Sequence, residues 1–246
     1  MRESITRNEQ RVELCPICFS SIADRQTIFA YLKQDFIICG NCKKNFIVVN
    51  KNTLFYGVKL HILYVYNTFM ESLLFQYKEG NDIALQEIFF HDVVKELETK
   101  FRDYTIVFPP SSLEKNRERG FHCLESMLQN CCLHKISPFQ KIGEYKQSSQ
   151  PFNKRGNVEK HIRFIGINEK CKKRLLIVDD VCTSGHTLRV MIQLLKSHYE
   201  YVEALVLTIH PKLLIEMKHH GLNKGIFSLE DNKRKWFMHN NEVQDI

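Results

Sequence analysis

The chain has 246 residues, 43% hydrophobic and 26% charged, with 35 Lys and Arg against 28 Asp and Glu for a formal net charge of +7. That length and apolar content exclude a largely disordered chain and suit one large domain, or a mid-sized domain with a small one attached. The charge is local: residues 135–174 carry eleven Lys and Arg against Glu144, Glu159 and Glu169, so an anionic partner, phosphate or nucleic acid, is expected there.

In chain order, the N-terminal stretch is polar, with no apolar core or small-residue cleavage site, so no signal peptide is expected. Cys15-Pro-Ile-Cys18 comes next, then Cys39-Gly-Asn-Cys42 after twenty intervening residues. Two CxxC pairs at this separation can place four thiolates tetrahedrally around one zinc ion, with Pro16 and Gly40 helping the tight turns. Nine cysteines is an odd count, and without a secretion signal metal ligation is favoured over disulfides. The segment between the pairs has strand character at Thr27–Tyr31 and Phe36–Ile38, and the apolar run Phe46–Val49 follows, so residues 1–50 are expected to form a zinc ribbon. So small a module has little core, and the metal would supply much of its stability. A closed four-thiolate site is structural, and no catalysis is assigned to it.

The most apolar stretch, Val58 to Phe75, contains Lys59, His61, Asn67 and Glu71, which suits a buried helix better than a membrane span. A helix is expected over Leu60–Lys78, ending at Gly80. Asp82 then caps a second helix with Leu85, Ile88, Phe89, Val93, Leu97 and Phe101 on its inner face. Residues 51–100 thus read as a helical connector. Beyond residue 101 the texture is α/β. A strand at Tyr104–Phe108 stops at Pro109-Pro110, and after a polar loop a helix is expected over Gly120–Leu133, burying Phe121, Leu124, Met127, Leu128 and Cys131. The strand Leu175–Val178, the helix His186–Lys196 and the strand Val202–Ile209 follow. Strands alternating with helices imply a mainly parallel sheet covered on both faces, here over residues 101–222. A tail, 223–246, holds Asn232-Lys-Arg-Lys235 and the only tryptophan, Trp236.

Chemistry concentrates in Leu175-Leu-Ile-Val-Asp-Asp-Val-Cys-Thr-Ser-Gly-His-Thr-Leu188. Two carboxylates stand at the carboxyl end of an apolar strand, where open α/β sheets place their ligands. Thr183, Ser184, Gly185 and Thr187 then form a hydroxyl-rich loop at a helix N-terminus, where free amides and the helix dipole hold phosphate and glycine lets the backbone approach. Carboxylates beside a phosphate site make sense if they bind the hydroxyls of the sugar that carries the phosphate. A ribose 5-phosphate is the expected ligand.

This string resembles the phosphoribosyl-pyrophosphate (PRPP) motif of type I phosphoribosyltransferases. With the two CxxC pairs, the chain resembles more narrowly the ComF family of competence proteins from naturally transformable bacteria. Lys78-Glu-Gly-Asn-Asp82, Arg119-Gly120-Phe121, Lys146-Gln147-Ser148 and Arg155-Gly156-Asn157 are similar to further family segments. The resemblance covers residues 15–210 and leaves the tail aside. It implies an α/β fold of type I phosphoribosyltransferase form behind the zinc ribbon and helical connector. Asp179 and Asp180 would be the catalytic pair, holding the ribose hydroxyls directly or through Mg²⁺. The PRPP site would continue through Val181, Cys182, Thr183, Ser184, Gly185, His186 and Thr187, with Thr183 to Thr187 on the 5-phosphate. The loop after Phe108 would take pyrophosphate, with Arg117 and Arg119 near it. The basic segment with Lys146, Gln147 and Arg155 would be the mobile loop that covers PRPP. One departure is Val107-Phe-Pro-Pro110, where family strands end in Val-Pro-x-Pro.

By resemblance the chain is a cytoplasmic competence protein acting in DNA uptake and natural transformation, there or at the inner face of the membrane and not integral to it. Its partners would be PRPP or a related phosphate, single-stranded DNA, and a competence helicase (ComFA) or other uptake proteins. Lys and Arg of the basic segment would track a DNA backbone while Phe139, Tyr145, Phe152 and Phe164 stack on bases. The alternative is an active phosphoribosyltransferase with an unknown acceptor. Amide transfer needs a glutaminase domain with an N-terminal cysteine and is not expected of a chain starting Met1-Arg2. A receiver-type aspartate site lacks the Thr-Ser-Gly-x-Thr loop, and neither a dinucleotide fingerprint nor a Walker motif is present. Cys182 is expected to be inert, Cys131 and Cys132 to be core thiols, and His186 to touch either phosphate or solvent.

Overall fold

The computed structural model describes residues 14–22, 37–141, 162–167, 173–218, 221–227 and 229. The chain divides into two compact units, Met1–Asn45 and Phe46–Ile246. In the first, Leu14 bridges Ser21 across a tight turn in which Cys15 N donates to Ser20 O at 2.9 Å and Phe19, at φ 58°, donates to Cys15 O at 2.8 Å. A single helical turn, α1 (Gly40–Lys43), starts directly after Cys39. The strand expected at Thr27–Tyr31 lies outside the described residues, as does Phe36, and Ile37 and Ile38 form a bend.

Phe46–Val49, expected as part of the zinc ribbon, instead opens the second unit. There β1 (Val48–Phe55) and β2 (Val58–Val65) form an antiparallel hairpin. Its two-residue loop, Tyr56-Gly57, has φ of 49° and 75°, the doubly left-handed turn that matches strand twist. Leu60–Val65, expected as helix, is therefore strand. It pairs in parallel with β8 (Tyr201–Ile209) from Lys59↔Glu203 to Val65↔Ile209, and all six residues from Leu60 are buried. A strand buried on both faces loses its alternation and reads like a buried helix. The 51–100 segment is thus only partly a helical connector: its first third belongs to the sheet.

Helix α2 (Thr68–Lys78) keeps the second half of the expected helix, with the Asn67 side chain accepting from Met70 N at 2.9 Å. The left-handed residue at its end is Asn81, φ 54°, and not Gly80. Gly80 is needed for another reason, since a Cβ there would lie 2.5 Å from Gln76 O. The second expected helix splits into a 3-10 segment, Ile83–Ile88, and α3 (Val94–Lys100), yet its whole predicted inner face is buried. Asp82 accepts from Gln76 Nε2 at 2.8 Å and does not cap.

Strand β3 (Tyr104–Val107) stands where expected. The polar loop after it contains α4 (Leu113–Arg119), capped by Ser112 and closed by Gly120 at φ 79°. The helix expected over Gly120–Leu133 shrinks to α5 (Cys123–Met127). Then come β4 (Lys135–Ile136) and β5 (Phe139–Lys141), which pairs antiparallel with β6 (Ile162–Phe164). β7 (Arg174–Cys182) runs four residues past the expected Leu175–Val178 and takes the acidic pair into the sheet, while α6 (His186–Lys196) and β8 follow as predicted, then an unanticipated α7 (Pro211–Lys218) and β9 (Asn223–Lys224), which pairs with β1.

The main sheet runs β4-β3-β7-β8-β2-β1-β9, parallel from β4 to β2 and antiparallel at the last two pairings. Leu175, Ile177, Ala204, Val206, Leu60 and Ile62 pack one face against Leu188, Met191, Ile192 and Leu195 of α6. After β3 the chain turns outward to β4, and after β7 it turns the other way to β8. Their loops diverge and open a crevice over the carboxyl ends of β3 and β7. Among the described residues no helix is long and apolar enough to cross a membrane.

Candidate functional site

The crevice is a cleft of about 380 Å³. One wall is the β3–α4 connection, Phe108 to Ser112, with Lys115, Asn116 and Arg119 of α4. The other is the end of β7, Asp179, Asp180 and Val181, with Thr187 of α6, and Lys78 closes the gap from the end of α2. Leu175 to Val178 are fully buried, so the strand carries its acidic pair up from a dry core to the cleft. Asp179 Oδ1 accepts from Asp180 N at 2.9 Å, Thr208 Oγ1 donates to Asp180 O at 2.9 Å, and Lys78 Nζ ion-pairs with Asp180 Oδ2.

Burial and then the neighbouring Asp180 carboxylate push the Asp179 carboxyl up to about 7, with Lys78 opposing. Burial works against the charged form of Lys78, but the carboxylates of Asp180 and Asp179 more than offset it, and its pKa is raised. Lys141, also on the cleft wall, is pushed down by burial and by the Lys115 charge. Arg119 Nη2 donates to Glu79 Oε1 at 2.6 Å, and Lys115 Nζ stands 3.6 Å from the same oxygen. Asn116 Nδ2 donates to Ser111 Oγ at 2.6 Å and to His122 Nδ1 at 3.1 Å, fixing the loop that follows β3.

Of the sequence-predicted residues, Asp179, Asp180, Val181, Thr187 and Arg119 come together on the cleft. Arg117 is exposed and off its wall. Gly185 caps α6 at φ 69°, where a Cβ would also lie 2.4 Å from Cζ of Phe55. Thr183 and Ser184 are exposed beside it, and His186 Nε2 is 3.5 Å from Arg189 Nη2. Cys182 is buried and not on the cleft wall, and burial followed by Asp179 pushes its thiol up to about 12, which disfavours the thiolate. Lys146, Gln147 and Arg155 lie outside the described residues, as do Tyr145 and Phe152. Phe139, offered above as a stacking residue, is buried with its ring 5.5 Å from that of Phe164, which stacks on His198. It is core.

Sequence reading missed Lys115, Asn116, His122 and Lys141 as cleft residues and noted Lys78 only inside a family segment. Ser112 and Gly120, a capping serine and a left-handed glycine around seven helical residues, were the available signal for α4.

In the first unit the sulfurs of Cys15, Cys18, Cys39 and Cys42 all lie within 4.8 Å of one another. A tetrahedral four-thiolate site with metal–sulfur bonds of about 2.3 Å spaces its sulfurs about 3.8 Å apart, so the cluster could hold a metal such as zinc. Cys15, Cys39 and Cys42 are buried, while Cys18 is exposed. Burial and then the other sulfurs push the Cys42 thiol up, a crowding that a divalent cation relieves.

A family model described as the phosphoribosyl transferase domain matches residues 141–235, from β5 past β9. The matched segment carries the β7 side of the cleft, with Asp179, Asp180, Val181 and Thr187, and is similar to the phosphoribosyl transferase domain. The competence protein ComFC of Streptococcus pneumoniae (strain ATCC BAA-255 / R6) is 27% identical over 140 residues, 57% of this chain and 63% of that protein. The match thus spans less than two thirds of the relative's length. These similarities support a ComF-like protein of phosphoribosyltransferase type, and the four-cysteine cluster fits a zinc module. A solved orotate phosphoribosyltransferase from Aeropyrum pernix aligns with 73% of this chain and 96% of its own at 17% identity. At a TM-score of 0.26 it carries no weight beside the sheet order.

Proposed function

We propose that this chain binds PRPP, or a closely related ribose 5-phosphate, in the cleft at the end of β7. It would act as a late competence protein of ComF type in DNA uptake, in the cytoplasm or at the inner face of the membrane. The observation that carries the ligand is the acidic pair set three residues before the hydroxyl loop of α6, facing a cleft bordered by Lys78, Lys115, Arg119 and Lys141. Asp179 and Asp180 accept the ribose hydroxyls. The free amides and hydroxyls at the start of α6 hold the 5-phosphate. The cations across the cleft neutralise pyrophosphate oxygens. PRPP should raise the melting temperature of the wild-type chain and not that of the Asp179→Asn/Asp180→Asn variant. Equal shifts in both would sink the reading.

The second reading, transfer of ribose 5-phosphate to an acceptor, uses the same atoms. As pyrophosphate departs, positive charge grows on the anomeric carbon, and the chain would orient the sugar, neutralise the leaving group and exclude water. The resemblance brings Mg²⁺ with PRPP. The acidic pair fits it poorly, because the Lys78 ammonium already engages Asp180 and Asp179 is pushed toward its neutral form.

Cys15, Cys18, Cys39 and Cys42 would hold one structural zinc. Native mass spectrometry should find one zinc per chain and lose it in Cys39→Ser. Single-stranded DNA and an uptake helicase are the partners that the family resemblance implies. The basic segment around Lys146–Arg155 is where DNA would bind, and neutralising Lys146, Lys154 and Arg155 should lower both affinity and its salt slope.

A further inference from the structure

Lys78 ends α2, a helix remote in sequence from the acidic pair, and reaches the same cleft from the far side of the sheet crossover. Its ammonium touches Asp180 Oδ2, and both side chains are mostly shielded, 24% and 14% exposed. A divalent cation bound at the pair would compete with that ammonium for the carboxylate oxygens. Asp180 Oδ2 is engaged by Lys78 and Asp179 Oδ1 accepts the Asp180 amide, which leaves one oxygen of each carboxylate for a ligand. Lysine, arginine and lysine again, at 115, 119 and 141, add positive charge to the same cleft without any ion.

Resting on the sugar-phosphate reading above, we infer that Lys78 takes the place of a divalent cation at the acidic pair, so that the cleft binds PRPP without metal. Lys78 is a positioning residue in two respects. It holds the Asp180 carboxylate with one oxygen directed to accept a ribose hydroxyl. It also keeps a positive charge, with donors beyond the one spent on Asp180, where hydroxyls and pyrophosphate oxygens meet. The raised pKa of Asp179 is consistent with this, since a carboxyl shifted toward its neutral form lowers the charge a cation would have to balance.

The test is calorimetric titration of the full chain with PRPP in excess EDTA and in excess magnesium. Wild-type affinities in the two buffers should agree within about threefold. Lys78→Met, confirmed as folded by circular dichroism, should lose at least about tenfold in EDTA and recover part of it in magnesium. Lys78→Arg, which keeps the charge, should bind in EDTA within about threefold of wild type, a readout that stands where the methionine variant does not fold. Wild-type binding that collapses in EDTA overturns the inference and leaves the sugar-phosphate reading standing. So does Lys78→Met binding in EDTA as tightly as wild type. Absence of binding in both buffers removes that reading and the inference with it.

Discussion

The parallel strands carry a buried polar cluster at each end, and the two are built to opposite rules. Toward the amino ends, Glu203 of β8 is satisfied on both oxygens: His61 Nε2 lies 2.7 Å from Oε2, and Tyr104 OH donates to Oε1 at 2.7 Å. Phe101 packs its edge on His61 at 5.5 Å, and the Arg174 guanidinium covers the rings of Tyr104 and Tyr201 at 5.8 and 5.0 Å. Burial pushes the Glu203 carboxyl up, but the hydrogen bonds from His61 and Tyr104 outweigh it and hold it below the usual range. Toward the carboxyl ends, Asp179 has a second carboxylate for a neighbour, and burial carries it up to about 7. A partly buried acid whose ionised form is satisfied stabilises the fold. A partly buried acid whose ionised form is crowded destabilises it instead.

The contrast can be broken most directly at Glu203. Glu203→Ala leaves His61 and Tyr104 buried without their acceptor and should lower the unfolding free energy by about 2–4 kcal/mol in urea titrations. A loss of only a few tenths of a kcal/mol would erase the distinction between the two ends. At the other end the sign reverses. Asp179→Asn should raise the stability of the ligand-free chain by about 1–2 kcal/mol near pH 8. The folded value of about 7 exceeds the ordinary 3.8, so this carboxyl favours the folded state most below 3.8 and loses that contribution as pH rises through about 7. Melting curves across pH should therefore show the asparagine advantage opening above about pH 4 and complete past 7. Glu203 titrates the other way, its contribution present above the ordinary value and lost as pH falls through the lowered one.

Smaller effects refine the same contrast. Tyr104→Phe removes one of the two donors to Glu203 and should cost about 1 kcal/mol, visible in the same urea titrations. Arg117→Ala, at an exposed position off the cleft, should change stability by less than about 0.5 kcal/mol. In calorimetry with PRPP it should leave affinity unchanged, whereas Arg119→Met should weaken it by about tenfold.

What could be read from sequence was contiguous. An apolar strand, an acidic pair, a hydroxyl loop and the first turn of α6 occupy Leu175 to Leu188 without a break, so their order alone places the acidic pair near a strand's carboxyl end with a helix start beyond. The two CxxC pairs needed only their spacing. The second helical face, Leu85 to Phe101, was recognised as buried although its single helix was not, because burial follows the apolar pattern and helix continuity does not.

Only the tertiary structure decided the rest. Leu60–Val65 is strand because β8 lies beside it, and a run apolar on both faces contains no period from which to infer that neighbour. α4 escaped notice because Glu114, Lys115, Arg117, Glu118 and Arg119 leave it no apolar stripe, and it is held by its caps. Lys78 meets Asp180 because β2 and β7 flank β8, which brings the end of α2 over the end of β7. Local patterns encode local backbone preference and which face is dry. Which distant charge comes to rest against a buried carboxylate is set by the order in which strands pair, and that order is a property of the whole sheet.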